Sequence, residues 1–240
     1  SAVGLFKLLK IIRDEEYSHQ DHWIQQIAGW QEKHPLTYAR SGAIKPQEVM
    51  EAINAASQGR AYVATDVGQH QMWAAQYIQV PSARHFITSG GLGTMGFGLP
   101  AAMGIQAALP EELVVAVAGD GGLQMNSQEM MTIRANNLPV KIVLVNNKSL
   151  GMVRQWQKLF FEERYSHTLF QEDDQPNFVM LAESYGIMSR RIEKREDLYA
   201  EMEKAFQAPG PQFIEVVTDD EENVFPMVPA GKPNASMIFE

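Results

Sequence analysis

Two short apolar stretches constrain the fold of this 240-residue chain more than any other feature. Residues 113–118 and 140–145 are almost entirely apolar and rich in β-branched residues, which is typical of strands buried on both faces. Helical patterns alternate with these and other strand patterns, so we predict an α/β fold, a parallel sheet flanked by helices on both faces. The predicted strands are residues 61–65, 113–118, 140–145, 187–192 and 213–217, and the predicted helices begin near residue 46 and cover 100–108, 127–136, 178–185 and 196–206.

The first 37 residues differ in character from the rest of the chain. They are polar and charged from Asp14 onward, and four apolar residues at helical spacing predict one helix there: Trp23, Ile24, Ile27 and Trp30. We predict that residues 1–37 are a trailing segment or linker from a preceding middle domain. Residues 38–240 are then a C-terminal domain whose tail, from residue 223 onward, is a loop or lid rather than a core element.

Two further features concern the same first segment. His19 and His22 are three positions apart, a spacing that metal-binding pairs use, but no further ligand is nearby and we interpret both as solvated surface residues. The chain does not begin with Met and has no signal-like cleavage pattern. We therefore expect it to be a piece of a longer polypeptide.

Composition excludes several classes of partner. The formal net charge is −9 and no Lys/Arg cluster offers a basic face, so we expect no nucleic-acid partner. No apolar run approaches the roughly 20 residues that cross a bilayer, so we expect no membrane partner. The absence of cysteine excludes disulfides and thiolate metal sites and is compatible with a cytoplasmic location, which we predict.

Candidate chemistry lies where two predicted strands end. The sequence Gly119-Asp120-Gly121-Gly122 follows one strand, and Asn147 follows the next, 27 positions after Asp120. The carboxyl ends of parallel strands form ligand sites, glycines allow close backbone approach, and a helix N-terminus favours an anion. Asp120 cannot bind a phosphate directly but can hold a divalent cation that does, within an oxygen shell suited to Mg²⁺. Each motif alone could instead be a tight turn.

Gly-Asp-Gly, this interval and then Asn-Asn resemble the pattern of thiamine-diphosphate enzymes. Three further blocks, residues 66–76, 87–98 and 151–157, are similar to the catalytic subunits of the acetohydroxyacid synthase (acetolactate synthase) family. The likeness extends from about Tyr38 to Val228.

The resemblance implies specific roles for residues of this chain. Gln69 and His70 would contact the diphosphate, Gly93 and Met95 would hold the aminopyrimidine through backbone groups, and Met152 would support the bent cofactor. Mg²⁺ would be held by Asp120, Asn147 and the backbone carbonyl of Ser149, and Trp156 would lie at the substrate channel. The full set of implied cofactor residues is Val67, Gln69, His70, Gly93, Met95, Gly119, Asp120, Gly121, Gly122, Asn147, Leu150, Gly151 and Met152.

The resemblance also implies an activity. Such an enzyme decarboxylates pyruvate and condenses it with a second 2-keto acid, pyruvate or 2-ketobutyrate, in branched-chain amino acid biosynthesis. It would work as a homodimer or tetramer through the cofactor site, with FAD bound mostly by another domain and a possible small regulatory subunit. The activating glutamate would come from an N-terminal domain of the partner subunit. We therefore expect no catalytic residue in these 240 residues and no activity from this chain alone.

Other interpretations stay open. Residues 91–96 also satisfy the G-x-G-x-x-G pattern of nicotinamide dehydrogenases, although no well-placed acidic residue follows. Within the thiamine class, catabolic acetolactate synthases, pyruvate oxidases and decarboxylases are alternatives, as is a non-catalytic cofactor-binding module. His70 could be an ordinary surface or core histidine. The apolar stripe that includes Met152, Val153 and Trp156 could be a helix core rather than part of a site.

Overall fold

Six parallel strands form one sheet in the part of the chain that the computed structural model describes, residues 21–171 and 174–239. The strand order is β2-β1-β3-β4-β6-β5, and every neighbouring pair is parallel. The predicted α/β fold is confirmed. The strands are β1 Tyr62–Thr65, β2 Phe86–Thr88, β3 Val114–Gly119, β4 Lys141–Asn146, β5 Met188–Ile192 and β6 Gln212–Val217.

Helices connect the strands along the chain, as a parallel sheet requires. Helix α3 lacks a clear apolar period and was not predicted from the sequence, nor was the three-residue edge strand β2. The helices are α1 Asp21–Lys33, α2 Pro46–Ser57, α3 Gln69–Tyr77, α4 Gly98–Ala108, α5 Asp120–Met125, α6 Glu129–Ala135, α7 Gly151–Phe160, α8 Phe178–Ser184 and α9 Arg195–Gln207, and a 3₁₀ helix covers Asn234–Ser236.

Alternate residues of the central strands enter two different cores. On β3, Val115 and Val117 belong to one apolar cluster, whereas Val114 and Ala116 belong to the cluster on the opposite face. Both faces of the sheet are therefore covered, which explains why these strands read as continuous apolar runs. Lys141 is the one charged residue in the second run. It is tolerated there because its ammonium group donates to two carbonyl oxygens, of Ala208 at 2.6 Å and Gly210 at 2.9 Å.

The chain divides into two units, Ser1–Tyr38 and Ala39–Glu240. In the first unit α1 carries the predicted apolar stripe, and the rings of Trp23 and Trp30 meet edge to face at 5.5 Å. The interpretation of His19 as a surface residue falls outside the described residues. No helix in the described part of the chain is both long enough and apolar enough to cross a membrane.

The tail after β6 is irregular, but part of it is built into the core. Beyond Thr218 the described residues form only the 3₁₀ helix and an isolated bridge between Met227 and Ile238. Val224 is fully buried in the cluster that contains Val145 and Val216. The tail was expected to be a loop or lid rather than a core element. This was wrong for Val224, because its apolar side chain packs into the core against the sheet.

Candidate cofactor site

A pocket lies where β1, β3 and β4 end and α3, α5 and α7 begin. It contains about 500 Å³ of empty space, part of it open to solvent. Four of the residues that line it were not among those expected at the site: Gly68, Trp73, Val145 and Val153. The residues expected at the site that line the pocket are Val67, Gln69, His70, Met95, Gly119, Asp120, Gly121, Gly122, Asn147, Ser149, Leu150, Gly151 and Met152.

Asp120 lies directly after β3, at the first position of α5, and its carboxylate is buried. Oδ1 accepts a hydrogen bond from the backbone N–H of Gly121 at 2.8 Å. Oδ2 accepts from Ser149 N–H at 3.2 Å and from Gln175 Nε2 at 2.6 Å. The bond to Ser149 ties the loop after β4 to the end of β3. Gln175 was not anticipated from the sequence.

Asn147 lies just beyond the end of β4 and is also buried. Its side-chain nitrogen Nδ2 donates to Gln69 Oε1 at 3.0 Å. Within the described residues no group donates to its Oδ1, so that oxygen is available to a ligand in the pocket that Asn147 lines. Asp120 and Asn147 therefore present oxygen atoms to one space from neighbouring parallel strands.

Glycines leave room for a ligand and for the side chains that surround it. A Cβ atom at Gly119 would lie 2.7 Å from His70 Nδ1, and one at Gly121 would lie 2.6 Å from Leu150 Cδ2. A Cβ atom at Gly151 would overlap the Gln69 side-chain oxygen. Side chains at these three positions would displace His70, Leu150 and Gln69, which line the pocket.

His70 is buried, and its Nε2 has no hydrogen-bond partner among the described residues. Burial lowers the pKa of His70 to about 4, because desolvation disfavours the charged imidazolium. A buried polar atom without a partner is costly, so it is a natural contact for a polar ligand.

The loop between β2 and α4 is held by Asp66, a residue given no role in the sequence interpretation. Its carboxylate accepts hydrogen bonds from the backbone N–H groups of Gly96 at 3.0 Å and Gly98 at 3.2 Å. This loop places Met95 against the pocket. Gly93 does not line the pocket; it adopts φ +71° and donates to the Ser89 carbonyl.

Helix α7 presents its polar residues inward. Arg154 and Gln155 are buried, whereas Val153 is 49% exposed and Phe160 is 40% exposed. The alternative that the apolar stripe is a helix core holds only for Met152, which packs against the core, because the fully buried residues of α7 are polar. Trp156 does not line the pocket, and its ring packs against Phe160 at 5.1 Å between centroids.

The donor set fits a hard cation bound together with an anionic ligand. Among the described residues there is no cluster of three or more His, Cys, Asp or Glu side chains that could hold a metal unaided. None of the residues that line this pocket, all of them described, is a lysine or arginine. One carboxylate and one amide oxygen suit Mg²⁺ when ligand phosphates complete its octahedral shell.

The Asp120 carboxylate predicts how cation binding depends on pH. Burial raises its pKa to about 6, although hydrogen bonds from Gln175 and Gly121 oppose the shift. Since only the ionised carboxylate binds a cation, Mg²⁺ affinity should fall about tenfold per pH unit below about pH 6 and be flat above about pH 7. His70, with a pKa of about 4, stays neutral in this window.

Calorimetric Mg²⁺ titration in the presence of a saturating diphosphate ligand would measure this dependence, after correction for protonation of the free ligand. A corrected affinity that does not change between about pH 5 and pH 7 would contradict the assignment of Asp120 as a ligand.

Comparisons with known proteins identify the family. Residues 66–216 match the profile described as "Thiamine pyrophosphate enzyme, C-terminal TPP binding domain". The chain is 48% identical over 217 residues to the "Acetolactate synthase large subunit" of Porphyra purpurea, covering 90% of this chain and 36% of that protein. It is 46% identical to the protein of the same name from Lactococcus lactis subsp. lactis, covering 90% of this chain and 37% of that protein.

The chain is also 45% identical over 221 residues to the "Acetolactate synthase isozyme 2 large subunit" of Escherichia coli, covering 92% of this chain and 40% of that protein. The predicted resemblance to this group of proteins is thus confirmed, and the chain spans between a third and two fifths of their length. The chain belongs to the thiamine pyrophosphate enzymes and carries their C-terminal cofactor-binding domain.

Proposed function

We propose that the pocket binds thiamine diphosphate through a Mg²⁺ ion and that the native protein is an acetolactate synthase. The observation that carries this proposal is the common location of Asp120, Asn147, Gln69 and His70 in one pocket at the carboxyl ends of parallel strands. The pocket has no lysine or arginine among its lining residues and its His70 is neutral near pH 7, so the charge of a diphosphate needs a cation to balance it.

Each residue has a distinct task in this proposal. Asp120, the Asn147 amide oxygen and the Ser149 backbone carbonyl hold Mg²⁺. The unpartnered Nε2 of His70 faces the diphosphate, and Gln69 contacts it through its backbone N–H at the start of α3, because both donors of its side-chain amide are bonded to Gln155 and Glu222. His70 then donates a hydrogen bond only when Nε2 carries the proton. Each hydrogen bond to the charged diphosphate contributes about 1.5–3 kcal/mol, so two or three determine whether the cofactor stays bound.

The loop from Gly93 to Met95 holds the aminopyrimidine through backbone groups, and Met152 supports the bent shape of the cofactor. Asp66 contributes indirectly, because its bonds to Gly96 and Gly98 hold this loop in place. Thiamine diphosphate, when bound, supplies the electron sink for carbon–carbon bond chemistry. The protein supplies orientation and charge neutralisation.

The proposed reaction decarboxylates pyruvate and joins the product to a second 2-keto acid, either pyruvate or 2-ketobutyrate. This supports branched-chain amino acid biosynthesis. The names of the similar proteins favour this reaction over that of a pyruvate oxidase or decarboxylase. In this proposal the activating glutamate and most FAD contacts come from other domains, and the chain alone is inactive. A cytoplasmic location and a small regulatory subunit stay predictions.

We also propose that a second subunit covers one wall of the pocket. Val153 lines the pocket although half of its side chain is exposed. Phe160 and Phe161 extend the same exposed apolar region along and beyond α7. A homodimer or tetramer through this surface would bury it and close the site, and Trp156 would lie near the substrate channel.

The first test is calorimetric titration of the cofactor-free native protein with thiamine diphosphate. Binding is expected with Mg²⁺ and is expected to weaken by more than about 100-fold when a chelator replaces Mg²⁺, since the cation links diphosphate to Asp120. Thiamine monophosphate serves as the matched control and should bind much more weakly because it cannot span the same contacts.

Pyruvate is then supplied to the reconstituted protein, and acetolactate is measured. Formation of acetolactate that depends on both thiamine diphosphate and Mg²⁺ is the expected result. Cofactor binding without turnover would favour a non-catalytic module. Equal affinity with and without Mg²⁺ would contradict the proposed cation site.

A further inference from the structure

A continuous chain of side-chain amides leads from the irregular segment after β6 to the pocket. It begins at Gln155 on α7, which is fully buried. Gln155 Oε1 accepts from the backbone N–H of Val224 at 2.8 Å, and its Nε2 donates to the carbonyl oxygen of the same residue at 3.0 Å. A backbone N–H can only donate and a carbonyl can only accept. The two atoms of the Gln155 amide are therefore fixed in place.

Gln69, the first residue of α3, continues the chain. Its Nε2 donates to Gln155 Oε1 at 2.8 Å and to the backbone carbonyl of Glu222 at 3.2 Å. Both partners are acceptors, so the nitrogen of the Gln69 amide must face them. The oxygen of that amide then faces Asn147, whose Nδ2 donates to it at 3.0 Å.

The polarity of these bonds determines the orientation of the Asn147 amide. With Nδ2 committed to Gln69, Oδ1 is left for the pocket. The reversed amide would bring two oxygens together at the Gln69 contact and would turn an NH₂ group, which cannot bind a cation, toward the site. The backbone groups of residues 222 and 224 thus determine, one bond after another, the orientation of each amide up to Asn147 Oδ1.

We infer that Gln155 is a positioning residue for the cation site: through Gln69 it holds Asn147 Oδ1 toward Mg²⁺. This inference rests on the proposed function, which assigns Asn147 as a ligand. Gln155 does not line the pocket in which the cofactor and the cation are proposed to bind. Residues that orient a ligand in this way typically contribute 10–100-fold to metal affinity.

The first test replaces Gln155 by methionine, which has a similar length but no polar direction. Mn²⁺, which is visible by electron paramagnetic resonance, is the probe, and the native protein is saturated with thiamine diphosphate. The Gln155→Met variant should bind Mn²⁺ about 10–100-fold more weakly than wild type. If wild type binds Mn²⁺ and the Gln155→Met variant binds it with the same affinity, the inference is overturned but the proposed function is not.

Gln76 provides a matched control. Its Nε2 also donates to the same irregular segment, to the Phe225 carbonyl at 3.3 Å and to the Pro226 carbonyl at 3.4 Å. Unlike Gln155, it has no bond that leads to Asn147. Gln76→Met should leave Mn²⁺ affinity unchanged. An equal loss in both variants would mean that loosening of the segment causes the effect, and this would overturn the positioning role.

Asn147→Asp tests the same inference without altering Gln155. A second carboxylate should strengthen cation binding if orientation does not matter. The locked Gln69 oxygen predicts the opposite, because one carboxylate oxygen would face it without a proton between them. Mn²⁺ binding weaker than that of wild type is therefore expected, and tighter binding would overturn the inference.

The double variant separates positioning from general support. Without Gln155, one of the two acceptors that hold the Gln69 nitrogen is lost, and Gln69 can turn to donate to an aspartate at position 147. Gln155→Met should then cost less Mn²⁺ affinity in the Asn147→Asp background than in wild type. Equal losses in both backgrounds would overturn the inference. Failure of wild type itself to bind Mn²⁺ with thiamine diphosphate would overturn the proposed function and this inference with it.

Discussion

Replacing Asp120 by alanine is expected to weaken Mg²⁺-dependent binding of thiamine diphosphate by more than about 100-fold, the upper range seen when residues behind a metal ligand are lost. The carboxylate is the only acidic group that lines the described pocket, so without it the cation loses its one anionic protein ligand. The variant also leaves Ser149 N–H and Gln175 Nε2 without their acceptor. Quenching of tryptophan fluorescence by the cofactor, with Trp73 in the pocket wall, measures the affinity.

Asp120→Asn refines this experiment because it keeps the shape of the side chain. The NH₂ group of the new amide would face either the cation, which it cannot bind, or the N–H donors around it, from which it cannot accept. A similar loss of cofactor affinity is therefore expected. Asp197, which is exposed in the first turn of α9, supplies the control, and Asp197→Ala should bind the cofactor as wild type does. Tight, Mg²⁺-dependent binding by Asp120→Asn would contradict the assignment of Asp120 as a cation ligand.

Gly98→Ala is expected to destabilise the fold by about 3 kcal/mol, the range for adding a methyl group where none fits. A Cβ atom there would overlap the backbone nitrogen of Asp66 and lie 2.8 Å from the Thr65 carbonyl carbon. Backbone atoms at the end of β1 cannot turn aside as a flexible side chain could. The thermal midpoint of the cofactor-free protein should fall by about 6–12 °C.

Gly104 is the matched control on the same helix. A Cβ atom at Gly104 meets nothing within 4 Å, so Gly104→Ala should stabilise α4 by about 0.5–1 kcal/mol through higher helix propensity. Opposite shifts of the midpoint in the two variants are therefore expected. A Gly98→Ala protein that melts at the wild-type temperature would show that α4 can move away from β1 without cost.

The sheet and the location of the site could be predicted because both follow from local signals. Runs buried on both faces mark β3 and β4, and ligand sites occur at the carboxyl ends of such strands. Asp120 and Asn147 follow directly from this rule, since each comes just after one of the two runs. The separation of 27 positions fits one strand-helix-strand unit between them.

The surrounding contacts could not be predicted, because they join residues that no pattern connects. Gln175 reaches Asp120 from 55 positions away, and Gln155 reaches Gln69 across 86 positions. Asp66 contacts a loop 30 positions later. The pairings of Gln175 and Asp66 depend on the path of irregular segments, which have no period to read, and the pairing of Gln155 with Gln69 joins two helices far apart in the sequence.

Two of the three helices that begin at the site, α3 and α7, could not be interpreted from their apolar residues alone, for a common reason. Helix α3 buries two polar residues, Gln69 and His70, on the same side as the apolar Trp73 and Ala74, so apolar residues alone do not mark its inward face. Helix α7 has a strong apolar stripe, but the buried face carries Arg154 and Gln155, which bond to groups of the segment after β6. An amphipathic pattern shows that the two faces of a helix differ in polarity. Which face is buried depends on whether the polar side chains find hydrogen-bond partners elsewhere in the fold.

The anchors at Glu222 and Val224 that hold the amide chain are backbone groups, not side chains. The side chains at these two positions act on the anchoring only through the course of the main chain, which the buried Val224 side chain and the bonds of Glu222 to Lys45 and Gln47 help to hold. A substitution that keeps this course leaves the anchoring bonds in place. Proline at position 224 is the exception, because it removes the N–H that gives the whole chain its direction.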